Sequence, residues 1–128
     1  MKKRIAVIED DRIMADLIKR GLERSGFEIF SAFDGEEGLR IVESQIPDLV
    51  LLDLMLPKLD GLSVAKRLSE NMQTKAIPVI ILTVMEKTDA MAGILEDTGY
   101  DYIVKSNIDI SEIINKVKEK LYVGSQRP

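Results

Sequence analysis

The chain has 128 residues, with 22 acidic and 18 basic side chains and a formal charge of −4 at pH 7. That length fits one domain, and the acidic balance argues against a bare nucleic-acid binder, which needs a basic face for phosphates. Cysteine and histidine are both absent, which excludes disulfide scaffolds, thiol chemistry, His-ligated metals and His-based triads.

Short apolar runs alternate with amphipathic stretches. The first run, residues 5–8, follows Met1-Lys2-Lys3-Arg4 and ends at three acids. It is too short for a secretory h-region of about 7–15 apolar residues, and no run approaches the roughly 20 needed to cross a bilayer. A mature cytoplasmic protein without membrane contact is therefore expected. A helix comes next, with Met14, Leu17, Ile18, Gly21 and Leu22 on one face and Asp11 as its cap. Residues 29–32 include Phe30 and Ser31 and read as an edge strand. Asp34 and Glu37 then open a helix with a thin stripe of Leu39 and Val42.

Residues 49–52 and 79–82 are continuously apolar and branched, as strands buried on both faces of a parallel sheet are. Between them, Asp60-Gly61 reads as a turn and cap before Leu62, Ala65 and Leu68. Residues 87–96 make the weakest helix, with a stripe of Ala90, Gly93 and Ile94. Residues 102–104 form the fifth strand. Asp109 opens the last helix, whose stripe is Ile110, Ile113, Ile114, Val117 and Leu121, with Glu112 and Lys116 spaced as an i,i+4 pair. Met14, Met72 and Met91 are expected to serve packing or surface.

This order predicts an α/β fold: a doubly wound, five-stranded parallel sheet with helices on both faces and right-handed crossovers. One domain spans residues 1–123, and residues 124–128 read as a disordered tail or the start of a linker.

Chemistry must then run on carboxylates, hydroxyls, lysines and backbone groups. In open parallel sheets ligands bind beyond the carboxyl ends of the strands. Here those ends are Glu9-Asp10-Asp11, Asp53, Thr83 and Lys105. Three acids gathered there oppose joint ionisation unless a cation offsets them. All-oxygen ligation suits Mg2+. A metal, a lysine, a hydroxyl and a carboxylate nucleophile make a set suited to phosphoryl transfer.

The run Asp53-Leu54-Met55-Leu56-Pro57-Lys58-Leu59-Asp60-Gly61 resembles the D-x-M-x-P-x-x-D-G loop of the receiver domains of two-component response regulators. Val7-Ile8-Glu9-Asp10-Asp11, Ile80-Ile81-Leu82-Thr83 and Asp101-Tyr102-Ile103-Val104-Lys105 resemble the other strand ends of that family, in order, over about residues 4–122. The resemblance implies a flavodoxin-like three-layer sandwich with strand order 2-1-3-4-5. It implies that Asp53 accepts a phosphoryl group from phosphohistidine on a histidine kinase or phosphotransfer protein. Asp10 would hold Mg2+ directly and Glu9 through water, with Asp53 and the Met55 carbonyl completing the protein ligands. Thr83 and Lys105 would bind the phosphoryl group, and Tyr102 would be the aromatic switch. Output would leave by the face of helix four, strand five and helix five, to a partner the sequence does not name. Direct nucleic-acid binding is not expected, and a homodimer is compatible with the pattern.

Three positions depart from the family pattern. Ser106 stands where proline usually follows the lysine. Val84 stands where Ala or Ser usually follows Thr83, and its branching narrows access to Asp53. Gly99-Tyr100 replaces Gly-Ala. Two rivals have counter-signals: a phosphatase of haloacid dehalogenase type would need an acid where Met55 stands and room for a cap domain, and a degenerate binding module would not keep Glu9, Asp10, Asp53, Thr83 and Lys105 together. A nucleotide-binding domain would carry a Gly-rich loop after the first strand.

Overall fold

In a computed structural model, which describes residues 2–84, 88–105 and 109–122, five β-α units run in chain order. They are β1 (Arg4–Ile8), α1 (Arg12–Arg24), β2 (Glu28–Ala32), α2 (Gly35–Gln45), β3 (Leu49–Asp53), α3 (Gly61–Glu70), β4 (Val79–Thr83), α4 (Asp89–Thr98), β5 (Asp101–Val104) and α5 (Ile110–Leu121). All neighbouring strands pair in parallel, and the sheet order is β2-β1-β3-β4-β5. This is the expected doubly wound sheet, with β2 at one edge as its mixed composition suggested. Residues 124–128 and Ser106 lie outside the described residues.

The continuous apolar runs have a simple cause. Strand side chains alternate between faces, so a strand covered on both sides must be apolar throughout. Ala6, Ile8, Val50, Leu52, Val79 and Ile81 enter one core, with the inner faces of α2, α3 and α4. Ile5, Val7, Leu49, Leu51, Ile80 and Leu82 enter the other, with α1 and α5. Burying each Val, Leu or Ile among them contributes about 1.5–3 kcal/mol, so much of the apolar stabilisation is concentrated on the three central strands.

Carboxylate caps fix the helix starts. Asp11 accepts from the Ile13 and Met14 amides, Asp34 from Glu37, Asp60 from Ser63 and Asp109 from Glu112. Glu37 reaches back to the Phe33 amide at 3.0 Å. Each cap satisfies amides that lack an intrahelical partner.

Three expectations need correction. In α1 the fully buried residues are Ala15, Ile18 and Leu22, while Leu17 is 49% exposed. In α4 the apolar stripe is Met91, Ile94 and Leu95. Ala90 and Gly93 are exposed, because the larger Met91, Ile94 and Leu95 turn to the core instead. Lys116 reaches Asp101 at 3.8 Å and Glu119 at 3.9 Å instead of Glu112. Asp101 also holds Lys120 at 3.0 Å, so this edge acid attracts both lysines of the α5 inner flank. Of the methionines, Met91 is buried and Met72 exposed.

Candidate functional site

Parallel pairing brings the strand ends level. Ile8 is registered with Leu52, Asp53 with Leu82, and Thr83 with Val104. The residues at or just beyond those ends, Glu9, Asp53, Thr83 and Lys105, therefore meet at one edge of the sheet. The Glu9 amide extends the β1–β2 pairing by donating to the Ala32 carbonyl at 3.0 Å, which holds Glu9 in line with the strand before the chain turns into the Asp11 cap. Past Asp53, the chain folds back at once: the Gly61 amide donates to the Leu54 carbonyl at 3.0 Å. A Cβ on Gly61 would collide with the Asp53 carbonyl and the Leu54 backbone. Glycine thus permits α3 to start directly against the end of β3, with Asp60 capping it.

Burial makes this edge electrostatically unusual. Glu9 is fully buried, Asp53 is 3% exposed and Thr83 is fully buried, whereas Asp10 is exposed. The carboxylates of Glu9, Asp10 and Asp53 bring oxygens within 4.8 Å of one another. Lys105 enters this group with its Nζ 2.6 Å from Glu9 Oε1 and 3.5 Å from Asp53 Oδ2. Two backbone amides join in: Asp11 donates to Glu9 Oε2 at 3.2 Å, and Met55 donates to Asp53 Oδ1 at 3.2 Å. Among the described residues one ammonium faces three carboxylates, so negative charge is in excess there.

The titration of the buried groups reflects that imbalance. Burial pushes the Glu9 carboxyl above its usual range, and the neighbouring Asp53 pushes it the same way, against the pull of Lys105. For Lys105, burial alone would lower the ammonium pKa. The bond to Glu9 and the charges of Asp53 and Glu9 outweigh burial and hold it above the ordinary lysine value.

The sequence-predicted residues thus divide. Glu9, Asp10, Asp53 and Lys105 come together, with Thr83 buried at the adjoining strand end. Met55 contributes its backbone amide while its side chain is 57% exposed. Asp11 and Asp60 act as caps. Val84 is 58% exposed immediately after Thr83, and Tyr102 lies on the edge strand β5, 37% exposed. Sequence reasoning counted Lys105 as one positive charge against the clustered acids and assigned it to a phosphoryl group, but missed that Glu9 is its nearer partner. The signal was available: a lysine brought by topology to a buried acid forms an ion pair before any ligand arrives. It also missed the burial of Tyr100, which is 7% exposed and lies in the core shared by α3 and α4.

Comparison with known proteins agrees with this geometry. The profile of the response regulator receiver domain matches residues 5–118. The alkaline phosphatase synthesis transcriptional regulatory protein PhoP of Bacillus subtilis is 42% identical over 106 residues, covering 82% of this chain and 43% of that protein. The DNA-binding dual master transcriptional regulator RpaA of Synechocystis is 37% identical over 119 residues, covering 92% of this chain and 48% of that protein. The chain therefore spans less than half the length of these relatives. Among solved structures, the Francisella response regulator 1452 receiver domain superposes with a TM-score of 0.80 at 34% identity, over 91% of this chain and 93% of that one. A CheY-like receiver domain from Methanospirillum hungatei superposes with a TM-score of 0.84 at 26% identity, over 94% of each. Among the described residues, no helix is long and apolar enough to cross a membrane. A five-stranded sheet of order 2-1-3-4-5 with buried acids and a lysine at its carboxyl edge, matched over residues 5–118, makes this chain a member of the response regulator receiver domain family, a signalling domain of two-component systems.

Proposed function

We propose that the chain is a phosphorylation-dependent switch that accepts a phosphoryl group on Asp53 from a phosphohistidine of a histidine kinase or phosphotransfer protein. The observation that carries this reading is the charge imbalance at the carboxyl edge. Two buried carboxylates and a third within 4.8 Å share one ammonium. An arrangement that costly persists where a ligand completes it.

The donor set fits Mg2+, since every side chain in it offers oxygen and no nitrogen or sulfur competes. Asp10, the exposed acid, would hold the ion directly and Glu9 through water, with Asp53 and the Met55 carbonyl as the remaining protein ligands. The ion would supply charge neutralisation at the acidic cluster. Asp53 does the chemistry: a carboxylate oxygen attacks phosphorus, the bond from phosphorus to the donor's imidazole nitrogen breaks, and that nitrogen keeps the electron pair. Lys105, 3.5 Å from Asp53 Oδ2, would pair with the arriving phosphoryl oxygens. The Thr83 hydroxyl would bind one of them. Such transfers depend above all on positioning and charge compensation. The histidine missing from this chain is supplied by the donor, and the domain catalyses only its own phosphorylation and dephosphorylation.

Phosphorylation then biases a two-state equilibrium, with Tyr102 as the aromatic switch and α4, β5 and α5 as the output face. A cytoplasmic setting, an output partner at that face and a homodimer in the active state belong to the same reading. Two of its relatives are transcriptional regulators, and a transcriptional output belongs to the same reading.

The test is intact mass after incubation with Mg2+ and acetyl phosphate. One phosphoryl adduct is expected, lost on hydroxylamine treatment and absent from Asp53→Ala. No adduct with any donor would leave a binding module without phosphoacceptor activity. Multiple turnover of unrelated phosphomonoesters would instead indicate a phosphatase.

A further inference from the structure

Two observations concern α4 and the residue that follows its end. The first is how thinly this helix is held. Met91 is its one fully buried residue, with Ile94 and Leu95 partly buried against the same core. By contrast, α3 buries Gly61, Val64, Ala65 and Leu68. The second is what lies next to it. Gly99 ends α4 in the left-handed conformation at φ 73°, which glycine adopts without strain. The chain then turns inward, and the Tyr100 amide donates to Thr98 Oγ1 at 3.1 Å. Tyr100 is thereby buried in the core that contains Met91, Ile94 and Leu95, and among the described residues its hydroxyl has no hydrogen-bond partner.

A buried hydroxyl without a partner carries the full penalty of its lost hydration, and an apolar group of the same shape does not. The ring therefore favours the closed packing while the hydroxyl opposes it. We infer that Tyr100 is a built-in counterweight: its unpartnered hydroxyl loosens the resting seat of α4 and so makes the α4–β5 face easier to shift on phosphorylation. This rests on the switch reading above. The reasoning is one of linkage. Any state that lifts α4 enough to hydrate the hydroxyl relieves the penalty. Tyr100 therefore shifts the balance toward that state, and ligands that select it bind more tightly.

The test compares the wild type with Tyr100→Phe, which keeps the ring and removes only the hydroxyl. Amide hydrogen exchange of α4 is measured without a phosphodonor, and beryllofluoride binding is measured in Mg2+. The expected result is on the order of tenfold slower exchange in α4 and a beryllofluoride affinity weakened by a similar factor. Unchanged or faster α4 exchange in the variant would overturn the inference. Slower exchange with unchanged affinity would overturn the coupling to the switch. Failure of the wild type itself to bind beryllofluoride would instead overturn the phosphoacceptor reading, and the coupling with it, whatever α4 exchange shows.

Discussion

The two edges of the sheet treat charge in opposite ways. At the amino edge, Arg4 donates to the Gln45 carbonyl and side chain at 2.8 Å each, lies 3.8 Å from Glu28, and stacks over Phe30 at 4.8 Å. Its backbone amide donates to Asp48 at 2.8 Å. These groups are partly or largely open to water, and each has a local partner. At the carboxyl edge, Glu9 and Asp53 are buried and share Lys105, whose side chain is only 10% exposed. Surface pairs contribute little because water competes for both members, whereas an uncompensated buried charge is costly. Charge at the amino edge is met locally and in water, whereas charge at the carboxyl edge is buried in excess of its counter-ion.

The sharpest way to break that contrast is Lys105→Met. It leaves two buried carboxylates without their ammonium, and a loss of about 3–5 kcal/mol is expected in denaturant unfolding at neutral pH. A loss below about 1 kcal/mol would mean that the pair is effectively solvated and the two edges are alike.

Asp60→Ala sets a middle value, because Asp60 is an exposed acid at the same edge that acts as a cap. About 1 kcal/mol is expected at pH 7. Its carboxyl is held below the usual range, first by the Ser63 amide, against a smaller opposing effect of burial. The folded-state pKa is depressed, so the stability it contributes is present above the unfolded-state pKa and fades as pH falls through the folded value. Wild type and Asp60→Ala should therefore converge in acid, and a gap that stays constant down to pH 2 would contradict a charge-dependent cap.

The smallest effect is expected at the amino edge. Arg4→Met should cost less than about 1 kcal/mol, and the cost should shrink in high salt. A cost comparable to that of Lys105→Met would erase the distinction between the edges.

Much of this was legible before any coordinates. A strand with apolar residues on both faces has one place to go, so residues 49–52 and 79–82 announced a covered parallel sheet, and topology then placed Glu9, Asp53, Thr83 and Lys105 at one edge. The acid caps were equally direct, since a carboxylate before an amphipathic run has an obvious local partner. What escaped was set by tertiary geometry. The stripe of α4 is too weak to define its own phase, and it was misassigned by one position. Leu17 fits a helical period yet stays half exposed, while Ala15, Ile18 and Leu22 take the buried face. Ile46 and Lys58 adopt φ of 45° and 69°, a conformation that non-glycine residues rarely take and that neither side chain advertises. Tyr100 looked like a minor departure from a family pattern. Its burial follows the turn at Gly99 into the core that also holds Met91.

The carboxyl edge holds more buried negative charge than its lysine offsets, and the proposed function has a cation complete it. Completion by a cation is tested most directly by following thermal unfolding of the wild type and Asp53→Asn against Mg2+ concentration. The wild-type midpoint should climb steadily with Mg2+ and fall back on chelation, as binding to the folded state alone requires. Asp53→Asn should start higher in the absence of metal and respond far less. A wild-type midpoint that does not move with Mg2+, or a variant that responds equally, would contradict the account.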